Sequence, residues 1–398
     1  MQHLHILLCR IFSLILLVNI SLCKEGRAQS GEGISKPVQF RKQMIASESY
    51  EAVGVFDING DDTLDIVSGA FWYEGPEYLT RHFIKEIGSF YNGEYYDDFS
   101  NIPMDVDGDG DLDYITGSWG SQNIRWVENP GNNNPWTDKV IDVTGPVECT
   151  RAWDINGDGH VEIVPNNPGL PLKFYRLDRD KDGKPLATFT KTQIADTQGH
   201  GLGFGDINGD GRGDLIINNA WLEAPENPFE GEWKLHAEFD LGTASVPVLV
   251  VDVNGDGKND IIAGQGHGYG LSWYEQSTDD SGKRTWLVHP IDPYNSQYHT
   301  MEWVDITGDG QAELITGKRF RAHNGRDPGS TDPLGLYYFQ WNGESFTRQT
   351  ISYGPLGEGK GAGLYFAVVD LNGTGRKDIV VAGKDGLCIF FNEGYRDK

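Results

Sequence analysis

Seven copies of one nine-residue acidic pattern constrain this chain more than any other feature. They are DINGDDTLD (57–65), DVDGDGDLD (105–113), DINGDGHVE (154–162), DINGDGRGD (206–214), DVNGDGKND (252–260), DITGDGQAE (305–313) and DLNGTGRKD (370–378). Their starts lie 48, 49, 52, 46, 53 and 65 residues apart. A chain of 398 residues has room for two or three domains. A period near fifty, rich in glycine and aromatics, instead predicts one array of repeated sheets.

Each repeat reads as four strands. An apolar stretch such as Val248-Leu249-Val250-Val251 enters the acidic loop, and an alternating strand such as Asp260-Ile261-Ile262-Ala263 leaves it. An aromatic strand follows (Trp72-Tyr73-Glu74, Trp126-Val127-Glu128, Trp273-Tyr274-Glu275), then a last strand of period two, as in Trp286-Leu287-Val288-His289. The expected fold is all-β: a seven-bladed β-propeller of four-stranded blades over 38–398. After the seventh loop the chain stops at its aromatic strand, Cys388-Ile389-Phe390-Phe391. Residues 38–45 resemble a last strand, so the N-terminal strand is expected to close the ring and remove two sheet edges.

The loops themselves read as cation cages. Positions 1, 3, 5 and 9 offer hard side-chain oxygens in a glycine-permitted tight loop, which suits Ca²⁺. The candidate ligands are Asp57, Asn59, Asp61 and Asp65 in the first loop, and Asp105, Asp107, Asp109 and Asp113 in the second. The third offers Asp154, Asn156, Asp158 and Glu162, and the fourth Asp206, Asn208, Asp210 and Asp214. Next come Asp252, Asn254, Asp256 and Asp260, then Asp305, Asp309 and Glu313, and last Asp370, Asn372 and Asp378. The seventh copy has Thr374 at position 5 and is expected to bind weakly. A net charge of −26 fits cation binding. It argues against nucleic acid and anionic lipid, which call for clustered Lys and Arg. Loops and period together resemble the FG-GAP/VCBS repeat family. That resemblance implies a calcium-bound propeller used in adhesion, as an accessory module or as an enzyme.

Residues 1–28 read as a signal peptide, with Arg10 as the positive flank, an apolar run from Ile11 to Cys23 and small residues at Gly26 and Ala28. Residues 29–37 then form a short linker. The mature protein is expected to be exported, secreted or periplasmic; lipid anchoring at Cys23 is the rival reading, with Leu22 too large for it. No other segment is expected to span a membrane. Cys149 and Cys388 sit in different repeats and are expected to be free thiols.

The unusual residues fall in loops at the other end of the blades from the acidic loops. His200 precedes Asp206 by six residues, and His299 precedes Asp305 by six. The same offset gives Glu51, Glu148 and Val246 in other repeats, so these side chains are expected to ring the axis. His267 lies inside the fifth repeat. A long insertion in the sixth, 317–329, carries Lys318, Arg319 and His323. Three imidazoles can hold a transition metal such as Zn²⁺, or one can act as a general base. Nearby cations suit a carboxylate or polarised carbonyl. Tyr95, Tyr96, Trp119, Trp221, Tyr269 and Tyr365 are available to stack on a sugar ring.

The GKR-x-x-AHNG stretch (317–325) is also similar to the propeller domain of the aldos-2-ulose dehydratases, which eliminate water from keto-sugars. The chain has no room for their additional cupin domains. The function expected is a carbohydrate lyase or dehydratase acting by β-elimination, with His200 or His299 as base and Lys318, Arg319 or a His-bound metal stabilising the developing charge. The alternative is a non-catalytic propeller that binds carbohydrate or protein. No G-x-S-x-G elbow is present to support a nucleophilic hydrolase.

Overall fold

The computed structural model describes residues 36–132 and 134–395. The leader and the linker up to residue 35 lie outside the described residues. The described chain is all-β; its helix is one short 3₁₀ turn, Ala322–Gly325. No helix among the described residues is long and apolar enough to cross a membrane.

The strands form five four-stranded sheets, one eight-stranded sheet and a two-stranded hairpin. Each of the first six repeats contributes four consecutive antiparallel strands, as in Tyr298–Val304, Glu313–Lys318, Leu334–Trp341 and Phe346–Gly354. The eight-stranded sheet is two such units, those of the fourth and fifth repeats. Their first strands run parallel, pairing Gly203 with Val248 and Phe204 with Leu249. A Cβ on Gly203 would meet the Val248 carbonyl oxygen at 2.4 Å, so only glycine allows this approach. Similarly, Ala52 bridges in parallel to Tyr365, setting the start of the first repeat beside the seventh.

The seventh repeat takes its fourth strand from the N-terminus. Val38–Ala46 pairs antiparallel with Leu387–Tyr395, from Val38↔Tyr395 to Ala46↔Leu387. Burial follows strand position. Second strands such as Asp260–Gly264 are buried at every residue, because neighbouring units cover both faces. Fourth strands such as Pro185–Ala195 alternate between half-buried and exposed along most of their length. Cys149 and Cys388 are buried and free.

One hydrogen-bond device repeats in every acidic loop. The ninth-position acid is buried and accepts the backbone N–H of position 2: Ile58 to Asp65 at 3.0 Å, Val106 to Asp113 at 3.0 Å, Leu371 to Asp378 at 3.2 Å. Its other oxygen often accepts from the far end of the third strand, as Gly75 does to Asp65 and Ala224 to Asp214. The first-position Asp accepts from positions 4 and 6: Gly157 and Gly159 both donate to Asp154 at 2.8 Å. Both donors have positive φ, 73° and 89°. In the first loop Asp62 occupies the second of these positions and takes φ 64° without glycine. These bonds give the loops a common backbone shape.

Candidate metal centre at the histidine end

The first strand of each unit has two ends. One leads into the acidic loop; at the other sit the residues six positions upstream. Glu148 precedes the strand Cys149–Trp153, His200 precedes Leu202–Gly205, and His299 lies in Tyr298–Val304. His267 arrives from the turn between the second and third strands of the fifth unit.

These four side chains meet. His200, His267 and His299 each turn Nε2 inward, and Glu148 turns Oε1 to them. The four atoms all lie within 4.8 Å of one another. His267 Nε2 is 2.9 Å from His200 Nε2, and His299 Nε2 is 3.0 Å from Glu148 Oε1. Glu148 Oε1 is 3.6 Å from His200 and 3.9 Å from His267. Bonds of about 2.1 Å from a tetrahedral ion put its ligand atoms about 3.4 Å apart, within the spread seen here.

Two of the three outward nitrogens are already committed. His200 Nδ1 lies 2.7 Å from the Ala244 carbonyl oxygen, and His267 Nδ1 lies 2.7 Å from Asp327 Oδ2. Both partners can only accept, so both Nδ1 atoms carry the proton. In the neutral rings the two Nε2 atoms facing each other are therefore lone pairs. Such a pair repels unless a cation lies between them. Burial, and then the His200 charge, push His267 down to about 4. Burial also holds His299 well below the usual imidazole range. Neutral rings are the form that ligates metal. His299 is fully buried and its Nδ1 has no partner. Burial works to raise the Glu148 carboxyl, but the neighbouring His200 and His299 imidazoles outweigh it and hold it well below the usual range.

The other expected site residues divide. Arg319 is fully buried beside the centre, with Nε 2.8 Å from Glu51 Oε1 and Nη1 3.4 Å from Glu148 Oε1. Its charge is spent on those two acids, so it is not a free anion site. Lys318 points the other way. Its Nζ lies 3.1 Å from Ser296 Oγ and also bonds the Gly329 carbonyl, and burial lowers it to about 8. Adjacent strand residues face opposite sides, which is why Lys318 does not join the histidines. His323 does join them. Its ring stacks on His267 with centroids 4.5 Å apart and planes 14° apart, and its Nδ1 lies 2.9 Å from Asp327 Oδ1.

A pocket opens over Glu148, Arg319 and His323, walled by Phe90, Tyr91, Tyr95, Phe99 and Trp119. Part of its wall comes from two insertions, the hairpin Ser89–Phe90/Tyr95–Tyr96 and the sixth-repeat segment around His323. They are tied together: the His323 N–H donates to Tyr95 Oη at 2.6 Å, and Arg321 pairs with Glu94 at 2.5 Å. Of the expected aromatics, Tyr95 and Trp119 reach this pocket. Tyr96 packs edge-on to Tyr50, and Trp221 is buried against His236. Tyr269 bonds Asp332, and Tyr365 lies under Arg151. Asp327, Phe90, Tyr91 and Phe99 were not singled out by the sequence reading; Glu148 and Glu51 were placed near the axis but not named as site residues.

At the opposite ends of the strands, the second and sixth acidic loops draw ligand atoms closest. Asp105, Asp107 and Asp113 form one group within 4.8 Å, and Asp305, Asp309 and Glu313 another. Asp107 Oδ1 is buried with no partner. Burial raises Asp65 and Asp214 to about 6, and Asp113, Glu162 and Glu313 to about 7. An oxygen-only set with an orphaned carboxylate oxygen fits a hard cation such as Ca²⁺.

Comparison with curated proteins gives no match. The family model for the FG-GAP-like repeat matches residues 105–164, 154–217 and 252–316. Each matched stretch runs from an acidic loop to the second strand of the next unit or beyond. These three stretches of the chain are therefore FG-GAP-like repeats.

Proposed function

We propose that the chain is an exported, closed seven-bladed propeller over 38–398, stabilised by Ca²⁺ at its acidic loops, whose histidine end is a transition-metal site acting on carbohydrate. The pairing of Val38–Ala46 with Leu387–Tyr395 and the Ala52–Tyr365 bridge support closure of the ring. The observation that carries the metal reading is the facing pair of Nε2 atoms 2.9 Å apart, each with its Nδ1 held by an acceptor. A shared proton would satisfy two nitrogens; the convergence of His299 and Glu148 on the same point favours an ion. Three imidazoles and one carboxylate suit Zn²⁺ or a similar ion better than Ca²⁺.

Such an ion, when bound, supplies a Lewis acid that polarises a carbonyl. The aromatic pocket beside it suits the flat face of a sugar ring. Together these support a lyase or dehydratase that removes a proton beside a carbonyl and expels a β-substituent. Neither Lys318 nor Arg319 is free to stabilise the developing charge, so that role falls to the ion. The same pairing of both cations supports the second reading, a binding propeller without turnover. Incubating the zinc-loaded chain with keto-sugars and uronate-containing glycans, and following absorbance of a conjugated product, separates the two. Product that disappears with His200→Ala supports the enzyme; glycan binding without product supports the binding module.

A further inference from the structure

The sequence reading assigned the base to His200 or His299. Both now commit Nε2 to the centre, and the second nitrogen of His200 to a carbonyl. His323 is different. Asp327 uses one oxygen for His267 Nδ1 and the other for His323 Nδ1, and the two rings lie stacked. One carboxylate therefore orients both rings alike. With Nδ1 held by Asp327, His323 keeps its Nε2 on the ring edge away from that carboxylate, and the residue lines the pocket one ring-stack from His267. That nitrogen has no hydrogen-bond partner among the described residues, and its side chain is 56% exposed.

The backbone is held for this placement. Arg321, His323 and Asn324 take φ of 53°, 47° and 60°, three left-handed non-glycine residues within four positions. Such strain persists only where the surroundings enforce it, and it gathers at functional sites. Here Tyr95 Oη, Glu94 and the Ser330 carbonyl hold the segment.

We propose that His323, oriented by Asp327, is the base of this site, taking the proton from the carbon next to the carbonyl of a sugar ketone. The assignment rests on the metal-centre reading above. The C–H bond breaks, its proton goes to His323 Nε2, and its electron pair moves to the carbonyl oxygen as the enolate forms. Return of the proton restores the ketone, so no co-reactant is consumed.

The test uses the whole mature chain, stripped and reloaded with zinc, and methyl 3-keto-glucopyranoside in D₂O. NMR follows deuterium entering beside the carbonyl; metal content is measured on every sample. Wild type is expected to exchange. His323→Gln should lose about 100-fold or more while keeping its zinc, and added imidazole should restore exchange in His323→Ala. Independently of turnover, diethyl pyrocarbonate should label His323 before His82, His236 and His289, whose Nε2 atoms sit on Glu74, Glu223 and Glu275. Unchanged exchange in His323→Gln, absence of exchange in zinc-loaded wild type, or slower labelling of His323 than of those three each overturns the proposal. If wild type holds no zinc, the metal-centre reading has failed and the base assignment falls with it.

Discussion

The two ends of the innermost strands are built by opposite rules. At one end seven acidic loops repeat a single solution: a buried ninth-position acid that accepts the backbone N–H of position 2. At the other end the units contribute differently. Glutamate comes from one, histidines from the next three, and a non-repeated insertion adds His323 and Asp327. The difference teaches where to look for chemistry in a repeat protein. What recurs in every unit holds the units together, whereas nitrogen ligands, left-handed backbone and shared carboxylates gather where the repeat is broken.

The largest expected effect lies at the repeated end. Removing calcium should lower the melting temperature by about 10 °C or more, because several ions bound only by the folded state add their mass-action contributions. Scanning calorimetry with and without chelator is the check; superimposed curves would dissolve the structural role given to the acidic loops.

That effect carries a pH signature. Burial raises the ninth-position acids, with Asp113, Glu162 and Glu313 near 7. Their folded values lie above the unfolded ones, so the folded chain binds their protons more tightly. Without metal, these acids favour the fold increasingly as pH falls from about 7 toward 4, and that contribution is lost as pH rises. Protons then replace calcium as the neutralising species. The stabilisation by calcium should therefore be larger at pH 7.5 than at pH 5. A calcium effect independent of pH would mean that these carboxylates do not face the ion.

Single loops should rank by their donors. Asp107→Ala removes an orphaned carboxylate from the most acidic cage and should lower the melting temperature by several degrees. Thr374→Ala should cost no more than about one degree, since the seventh loop lacks a charged donor there. Equal losses would say that the loops act through turn geometry alone.

At the non-repeated end the effect falls on metal binding rather than on melting. Asp327→Asn should leave melting within a few degrees while weakening zinc binding about 10- to 100-fold, because Asp327 fixes the tautomer of His267. Isothermal titration with zinc reads this directly. Unchanged affinity would remove Asp327 from the centre's support.

How far the sequence reached follows the same division. The acidic motif, its period and the N-terminal strand were legible because each repeat must obey the same strand alternation and turn chemistry. The six-residue offset also foretold that Glu148, His200 and His299 share a level on the axis, and Glu148 proved to be a ligand candidate. Lys318 was misjudged for a reason visible in the sequence. It adjoins Arg319 at the end of a strand, so the two could not face one site. Asp327 carried a weak signal, an acid four residues after His323. The pocket walls Phe90, Tyr91 and Phe99 carried none, because the hairpin that presents them belongs to no repeat, and its docking against residues 319–333 depends on contacts more than 200 residues apart in sequence.

The central claim is that the histidine end holds its own ion, distinct from the calcium loops. Cobalt titration into the stripped chain in saturating calcium tests it most directly. One cobalt per chain should bind and give the visible absorption of a nitrogen-ligated ion, and His200→Ala and His267→Ala should abolish it without releasing calcium. Cobalt that binds only in competition with calcium, or equally well after both histidines are removed, would contradict the account.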